Sequence, residues 1–316
     1  MSIAWLFPGQ GSQFVGMCKD VVKSSTAAHA ILERANHALG ESLSELILEG
    51  PDDRLTLTVN AQPALVATSC AVLEAIRERL PGLPLPAFAA GHSLGEYSAL
   101  VAGEALCLED AVRLVRTRGR AMQEAVAPGT GTMSAIVGMD PERLEAICAQ
   151  AAEGSVVAPA NFNAPGQVVV AGHAAAVARV GELVISERGR AIPLKVSAPF
   201  HCALMAPAAR TLEAELALVN VLPPRFPIVA NFNAQANIDP SRTRELLVRQ
   251  VDGPVRWDAS VRFMVAHGVT HALEIGSGKV LAGLVKRIAK EVKVLSVGDL
   301  ASLGELHSFM AEATSR

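Results

Sequence analysis

Residues 88–100 read Phe88-Ala89-Ala90-Gly91-His92-Ser93-Leu94-Gly95-Glu96-Tyr97-Ser98-Ala99-Leu100. A short apolar strand runs into a serine with a glycine two residues away on each side, and a mostly small, apolar helical pattern follows. Strand, G-x-S-x-G, helix is the context of a nucleophile elbow. Small neighbours there permit a sharp turn that lifts the serine oxygen above the sheet edge. The following helix aims its first amides at any oxyanion formed beside that serine. The competing reading is a glycine-bracketed turn whose serine only caps a helix. From the pattern alone the two stand about even.

The rest of the chain carries the same alternation. Ile3-Ala4-Trp5-Leu6-Phe7 reads as a buried strand stopped by Pro8-Gly9, and residues 24–38 and 63–79 have helical spacing. Helices are expected over 94–104 and 108–126, with strands at 228–230, 272–275 and 292–295 and a helix over 280–288. Alternation of this kind implies a parallel sheet covered by helices. Beyond the Gly/Pro stretch 127–133 the elements become compact. Strand 133–138, helix 141–152, strands 155–160 and 167–171 joined by Asn161-Phe162-Asn163-Ala164-Pro165-Gly166, helix 174–187 and strand 191–196 form a ferredoxin-like βαββαβ order. The fold class expected is α/β. Residues 1–127 and 198–316 form a hydrolase-like core, and 128–197 form an inserted ferredoxin-like α+β subdomain.

Composition narrows the function. Of 316 residues, 50% are hydrophobic and only 4% aromatic, so the core is aliphatic. With 28 basic and 31 acidic residues the net charge is −3, which speaks against a nucleic-acid or membrane-surface partner. The 5 cysteines are scattered without a CxxC pair, so neither a disulfide framework nor a metal site is expected, and a reducing cytoplasm suits them. The N-terminal stretch has no basic leader pattern, and no uninterrupted apolar run reaches the ~18 residues of a membrane helix.

A serine nucleophile needs a base. His29, His37, His267, His271 and His307 sit within or beside helical surface patterns, while His92 and His173 sit at strand ends. His201 follows the strand ending at Val196, where the subdomain should rejoin the core, and clefts between such units are where sites form. No acidic residue lies near it in sequence to orient it. In the helix 108–126, Ala111, Leu114, Val115 and Met122 mark the apolar stripe, and Arg118 falls inside it. A buried arginine is costly unless paired. Its partner is either an internal carboxylate, which the pattern alone favours, or a substrate carboxylate held bidentately. Gly9-Gln10-Gly11-Ser12-Gln13-Phe14 lacks the third glycine of a dinucleotide fingerprint. Gly276-Ser277-Gly278-Lys279 lacks the first glycine and the terminal Ser/Thr of a phosphate loop.

Several stretches together resemble the malonyl-CoA:acyl carrier protein transacylases: LFPGQGSQFVGM at the N-terminus, AQPALVATS at 61–69, GHSLGEYSAL at 91–100, RGRAMQEAV at 118–126, NFNAPGQVVVAGH at 161–173, HCALM at 201–205 and EIGSGKVLAGL at 274–284. The resemblance covers essentially the whole chain, and Ser277 departs from it where many relatives carry proline. It implies that Ser93 accepts the acyl group and that His201 is its base, oriented by a main-chain carbonyl near Gln250 in place of an aspartate. It further implies that the amides of Gln10 and Leu94 form the oxyanion hole. Arg118 would clamp the malonyl carboxylate, displacing the internal partner, and His92 and Met122 would line the pocket. By analogy with related acyltransferase domains, Phe200 would favour malonyl over methylmalonyl. Malonyl-CoA and a phosphopantetheinylated acyl carrier protein are the partners implied, with no metal or redox cofactor, and a monomer is expected. Arg188, Arg190 and Lys195, or Lys286, Arg287 and Lys290, would meet an acidic carrier. The carrier could serve fatty acid or polyketide synthesis. A serine hydrolase, with water as acceptor and an acidic third member, is the rival within enzymes; a non-catalytic carrier-docking subunit is the rival outside them.

Overall fold

A computed structural model describes residues 2–314. Its larger sheet has six strands: β1 (Ser2–Phe7), β2 (Phe88–Gly91), β7 (Ile228–Val229), β8 (Ala236–Asn237), β9 (Val269–Ile275) and β10 (Lys293–Val297), in the order β10-β9-β1-β2-β7-β8. All neighbours are parallel except the edge pair β7 and β8. β1 lies inside the sheet and is buried from Ile3 to Phe7, as a strand covered on both faces must be. The parallel register pairs Phe7 with Gly91, so the loop after β1 and the loop after β2 leave the same end of the sheet side by side. That edge is where parallel α/β sheets hold their ligands.

Helix Thr58–Arg79 begins five residues earlier than its sequence pattern suggests, and Pro63 lies inside it. A proline usually marks a first turn, but here burial of Thr58, Ala61 and Gln62 overrides that preference. The helix is long and apolar enough to cross a membrane, yet 83% of its apolar window is buried inside the protein, so it is a core helix.

The second sheet consists of β3 (Gly131–Val137), β4 (Val157–Ala164), β5 (Gln167–His173) and β6 (Arg190–Pro193), ordered β4-β5-β3-β6 and antiparallel throughout. Helices Pro141–Ala152 and Ala174–Ser186 complete the βαββαβ arrangement, the first capped by Asp140 with Pro141 in its first turn. Two expectations need correction. Residues 161–164 are not a connecting loop: β4 runs through them, and Pro165-Gly166 alone makes the turn, with Gly166 at φ 66°. The reason is long-range pairing. Phe162 donates its amide to Val255 O at 2.9 Å, and Val255 donates to Ala160 O at 2.8 Å, fastening β4 to the larger unit. His271 is not on a helical surface but buried on β9.

Candidate active site

The glycines of G-x-S-x-G are demanded by packing. A Cβ on Gly91 would lie 1.9 Å from the Gly95 carbonyl carbon, and one on Gly95 would lie 2.3 Å from Phe7 O. Strand, turn and helix therefore approach as closely as backbone can. Between them Ser93 adopts φ 53°, a left-handed conformation that a non-glycine residue holds only when its surroundings impose it. The imposing groups are Asn231 and Gln250. Asn231 Oδ1 accepts from Ser93 N at 2.6 Å, and Asn231 Nδ2 donates to Gly91 O at 2.7 Å. Gln250 Nε2 donates to Ser93 O at 3.0 Å.

The serine side chain does not cap the helix that follows. Its Oγ lies 2.8 Å from His201 Nε2 and 3.0 Å from Arg118 Nη2. His201 Nδ1 lies 2.7 Å from the main-chain oxygen of Gln250. A carbonyl only accepts, so Nδ1 carries the proton and Nε2 presents a lone pair to the serine. Burial, then the Arg118 charge, hold the imidazole far below its ordinary value, at about 3, so it stays neutral and able to take a proton.

Arg118 is 1% exposed and, among the described residues, has no carboxylate within ion-pair distance. Its Nη1 donates to Gln62 Oε1 at 2.7 Å and its Nη2 to Gln250 Oε1 at 2.9 Å, while Nε is buried without an acceptor. The internal carboxylate that the helix pattern favoured does not pair with it directly: Glu96 acts on Arg118 through space and through the shared Gln250 side chain. A buried guanidinium held by neutral amides and facing a cavity is a receptor for an anion.

That cavity, about 430 Å³, lies between the two sheets. Gln10, His92, Ser93, Arg118, Met122, Phe200 and His201 all line it. β3, β4 and β5 contribute Met133, Asn161, Asn163 and Val169, and the segment after β6 contributes Leu194, Lys195 and Val196. His92 Nε2 bonds Asn163 Oδ1 at 2.8 Å, tying the nucleophile loop to β4. Burial pushes the His92 imidazole below its ordinary value. Gln10, in the loop after β1, lines the cavity, and its Nε2 donates to Thr58 Oγ1 at 3.1 Å. Among the described residues neither the Gln10 main-chain amide nor that of Leu94 has an acceptor. Lys195 alone of the six proposed carrier-facing cations lines the cavity; Arg190 is on the exposed edge strand β6, and Arg287 is bonded to Gln167.

Four site residues escaped the sequence reading: Gln62, Glu96, Asn163 and Asn231. Glu96 is buried, and its Oε2 accepts from Asn231 N at 2.9 Å and Gln250 Nε2 at 2.8 Å. Its spacing three residues after Ser93 does match a helix capping box, but the carboxylate turns inward to these amides. Burial outweighs those bonds and the pull of Arg118, and raises its carboxyl to about 7. Among the described residues there is no group of three or more His, Cys, Asp or Glu side chains that could hold a metal ion.

The family model for the acyl transferase domain matches residues 4–310. The chain is 46% identical over 301 residues to the malonyl CoA-acyl carrier protein transacylase of Escherichia coli K12, covering 95% of this chain and 97% of that relative. The chain belongs to this family. It is also 47% identical to the transacylase of Bacillus subtilis 168 over 94% of this chain and 93% of the relative. Among solved structures, an acyl carrier protein S-malonyltransferase from Vibrio cholerae superposes with a TM-score of 0.94 at 45% identity, covering 97% of this chain and all (100%) of the other. A malonyl-transacylase solved in complex with its type II PKS acyl-carrier protein superposes at 0.93, with 43% identity and coverage of 96% and 98%. The α/β core with its inserted sheet is thus the architecture of known malonyltransferases.

Proposed function

We propose that this protein transfers the malonyl group of malonyl-CoA to the phosphopantetheine thiol of an acyl carrier protein, through an ester on Ser93. The observation that carries the reading is the buried Arg118 guanidinium, in direct ion-pair contact with no carboxylate among the described residues, 3.0 Å from the Ser93 hydroxyl. It suits an acyl group bearing its own carboxylate. In the first half-reaction His201 Nε2 takes the Ser93 proton as Oγ attacks the thioester carbonyl. The oxyanion rests on the amides of Gln10 and Leu94, and collapse expels the CoA thiolate, which takes the proton from His201. In the second, the carrier thiol gives its proton to His201 and attacks the ester, and Ser93 regains its hydrogen as the malonyl thioester departs. The Gln250 carbonyl stabilises the imidazolium in both halves by accepting from Nδ1. Phe200 and Met122 shape the acyl end of the cavity, with Phe200 disfavouring a methyl branch. None of these steps calls for a metal or redox cofactor.

A hydrolase reading is less well supported, because His201 is oriented by a main-chain oxygen and Arg118 would have no task. The similarity to the malonyl-transacylase of a type II PKS carrier favours a second reading of the acceptor alone: a polyketide carrier in place of one from fatty acid synthesis. The test is to mix protein and malonyl-CoA, map the adduct by intact and peptide mass, then add candidate carriers. A malonyl ester on Ser93 that moves to a carrier thiol is expected. Release to water alone, or no adduct, overturns the proposal.

A further inference from the structure

Beneath the reacting groups lies a carboxylate that the transfer steps do not use. We infer that Glu96 is a positioning residue for acyl transfer: through Gln250 and Asn231 its carboxylate holds the Ser93 turn and directs the Gln250 amide oxygen onto Arg118. The inference rests on the malonyl transfer proposed above.

Its basis is how the two amide side chains are committed. Gln250 Nε2 has two hydrogens, and its two short bonds are to Ser93 O at 3.0 Å and Glu96 Oε2 at 2.8 Å, with Asn231 Oδ1 farther off at 3.5 Å. Flipped, the amide would set its oxygen against two acceptors and its NH₂ against a guanidinium. Glu96 thus helps decide which end of Gln250 meets Arg118, at 2.9 Å. The same Gln250 holds His201 through its main-chain oxygen. The same Glu96 oxygen also fixes Asn231, by accepting its main-chain amide at 2.9 Å. Asn231 in turn holds Ser93 N and Gly91 O, the two ends of the strained turn. One carboxylate oxygen therefore supports nucleophile, base and clamp together, and an ionised acceptor makes each of those bonds stronger than a neutral one.

The groups facing Glu96 are few. Arg118 approaches from helix Leu108–Glu124, Tyr97 is its chain neighbour, and Asn231 and Gln250 are neutral. Of the two imidazoles in the site, His201 is held to about 3 and His92 below its ordinary value. Burial raises the Tyr97 hydroxyl out of the working range. Glu96, at about 7, is the member of this cluster that changes charge near neutrality.

The experiment compares wild type with Glu96→Gln, in which one amide oxygen can still accept both bonds but the charge is gone. Malonyl-CoA acylation of Ser93 is followed by rapid quench between pH 6 and 8, per folded protein, alongside unfolding midpoints. In wild type, kcat should rise with pH through about 7, because the ionised form is the supporting one. In E96Q, kcat should fall about tenfold and become flat with pH, the order expected when a charged acceptor becomes neutral. KM should not rise, since removing an anion near Arg118 does not weaken its hold on a carboxylate. Wild-type kcat in E96Q, or a profile that still climbs through neutrality, overturns the inference. If E96Q does not fold, Glu96→Asp supplies the test: charge kept but reach shortened should lower kcat while preserving the rise with pH, and wild-type kcat would overturn the inference. Absence of any malonyl-Ser93 in wild type would instead sink the functional reading itself.

Discussion

Two glycine-bracketed serines stand at the same edge of the larger sheet, on the strands that flank β1 on either side. Ser93 follows β2 and Ser277 follows β9, and each precedes a helix. They share a pattern and differ in what surrounds them. The Ser93 hydroxyl meets an imidazole and a guanidinium, and the Leu94 amide behind it is open. The Ser277 hydroxyl is buried without a partner among the described residues. The helix after it is already closed: Glu274 gives one carboxylate oxygen to Leu281 N at 2.8 Å and the other to Ala282 N at 3.0 Å and Ser296 Oγ at 2.7 Å. A phosphate would need the place that Glu274 holds. Reactivity at a strand–turn–helix junction therefore depends on whether the protein fills the helix mouth itself or leaves it for a substrate.

The largest effect should come from Ser93→Ala, which ought to abolish the malonyl adduct and lower transfer by at least about 10³-fold. The matching change Ser277→Ala is the other pole of the comparison and appears last. Next is Arg118→Ala. Loss of a charge-assisted clamp worth ~2–4 kcal/mol should reduce malonyl transfer by ~30-fold to ~10³-fold, with acetyl transfer kept or increased. Equal loss with both donors, measured as kcat/KM, would make the arginine a structural element.

A smaller effect concerns stability. Burial sets the folded Glu96 carboxyl above its unfolded value, so the folded state binds the proton more tightly. That contribution is fully present below pH ~4.5, the usual glutamate value, and is lost as pH rises through about 7. Urea midpoints of wild type should fall between pH 5 and 8 by more than those of E96Q, and equal slopes would break the assignment. Stability and the ionised form needed for transfer then pull in opposite directions, as is common at working sites. The smallest effect is that of Ser277→Ala. Removing a buried hydroxyl that has no partner among the described residues should leave transfer unchanged and stability within about 0.5 kcal/mol of wild type, or slightly raised, by thermal or urea unfolding.

Much of the site could be read from residues alone where a local rule was broken or obeyed visibly. Strand–G-x-S-x-G–helix is local, and Arg118 stood out because it interrupts an apolar stripe. His201 stood out by its place where the subdomain rejoins the core; the family resemblance gave it the role of base and supplied Gln250, which no nearby residue announces. Gln62, Asn163, Asn231 and Glu96 left no such trace. A single polar side chain has no period and no preferred spacing, and its role comes from partners up to 154 residues away, the separation of Glu96 and Gln250. Residues 161–164 misled for a related reason: Asn and Pro-Gly are turn formers, and only pairing with Val255, distant in sequence, makes the stretch a strand. Helix 280–288 was legible to the residue because its apolar face is periodic and its neighbours are local.

The support of His201 by Gln250 also has a bearing on synthesis. Ser93 leaves the ribosome 108 residues before its base, and the carbonyl that holds the base comes 49 residues later still. A nascent chain bearing the serine but not yet Gln250 lacks both the amide that helps hold the Ser93 turn and the carbonyl that orients the imidazole. Nucleophile and base are therefore completed together by one late residue, and a chain stopped before residue 250 is expected not to be acylated by malonyl-CoA.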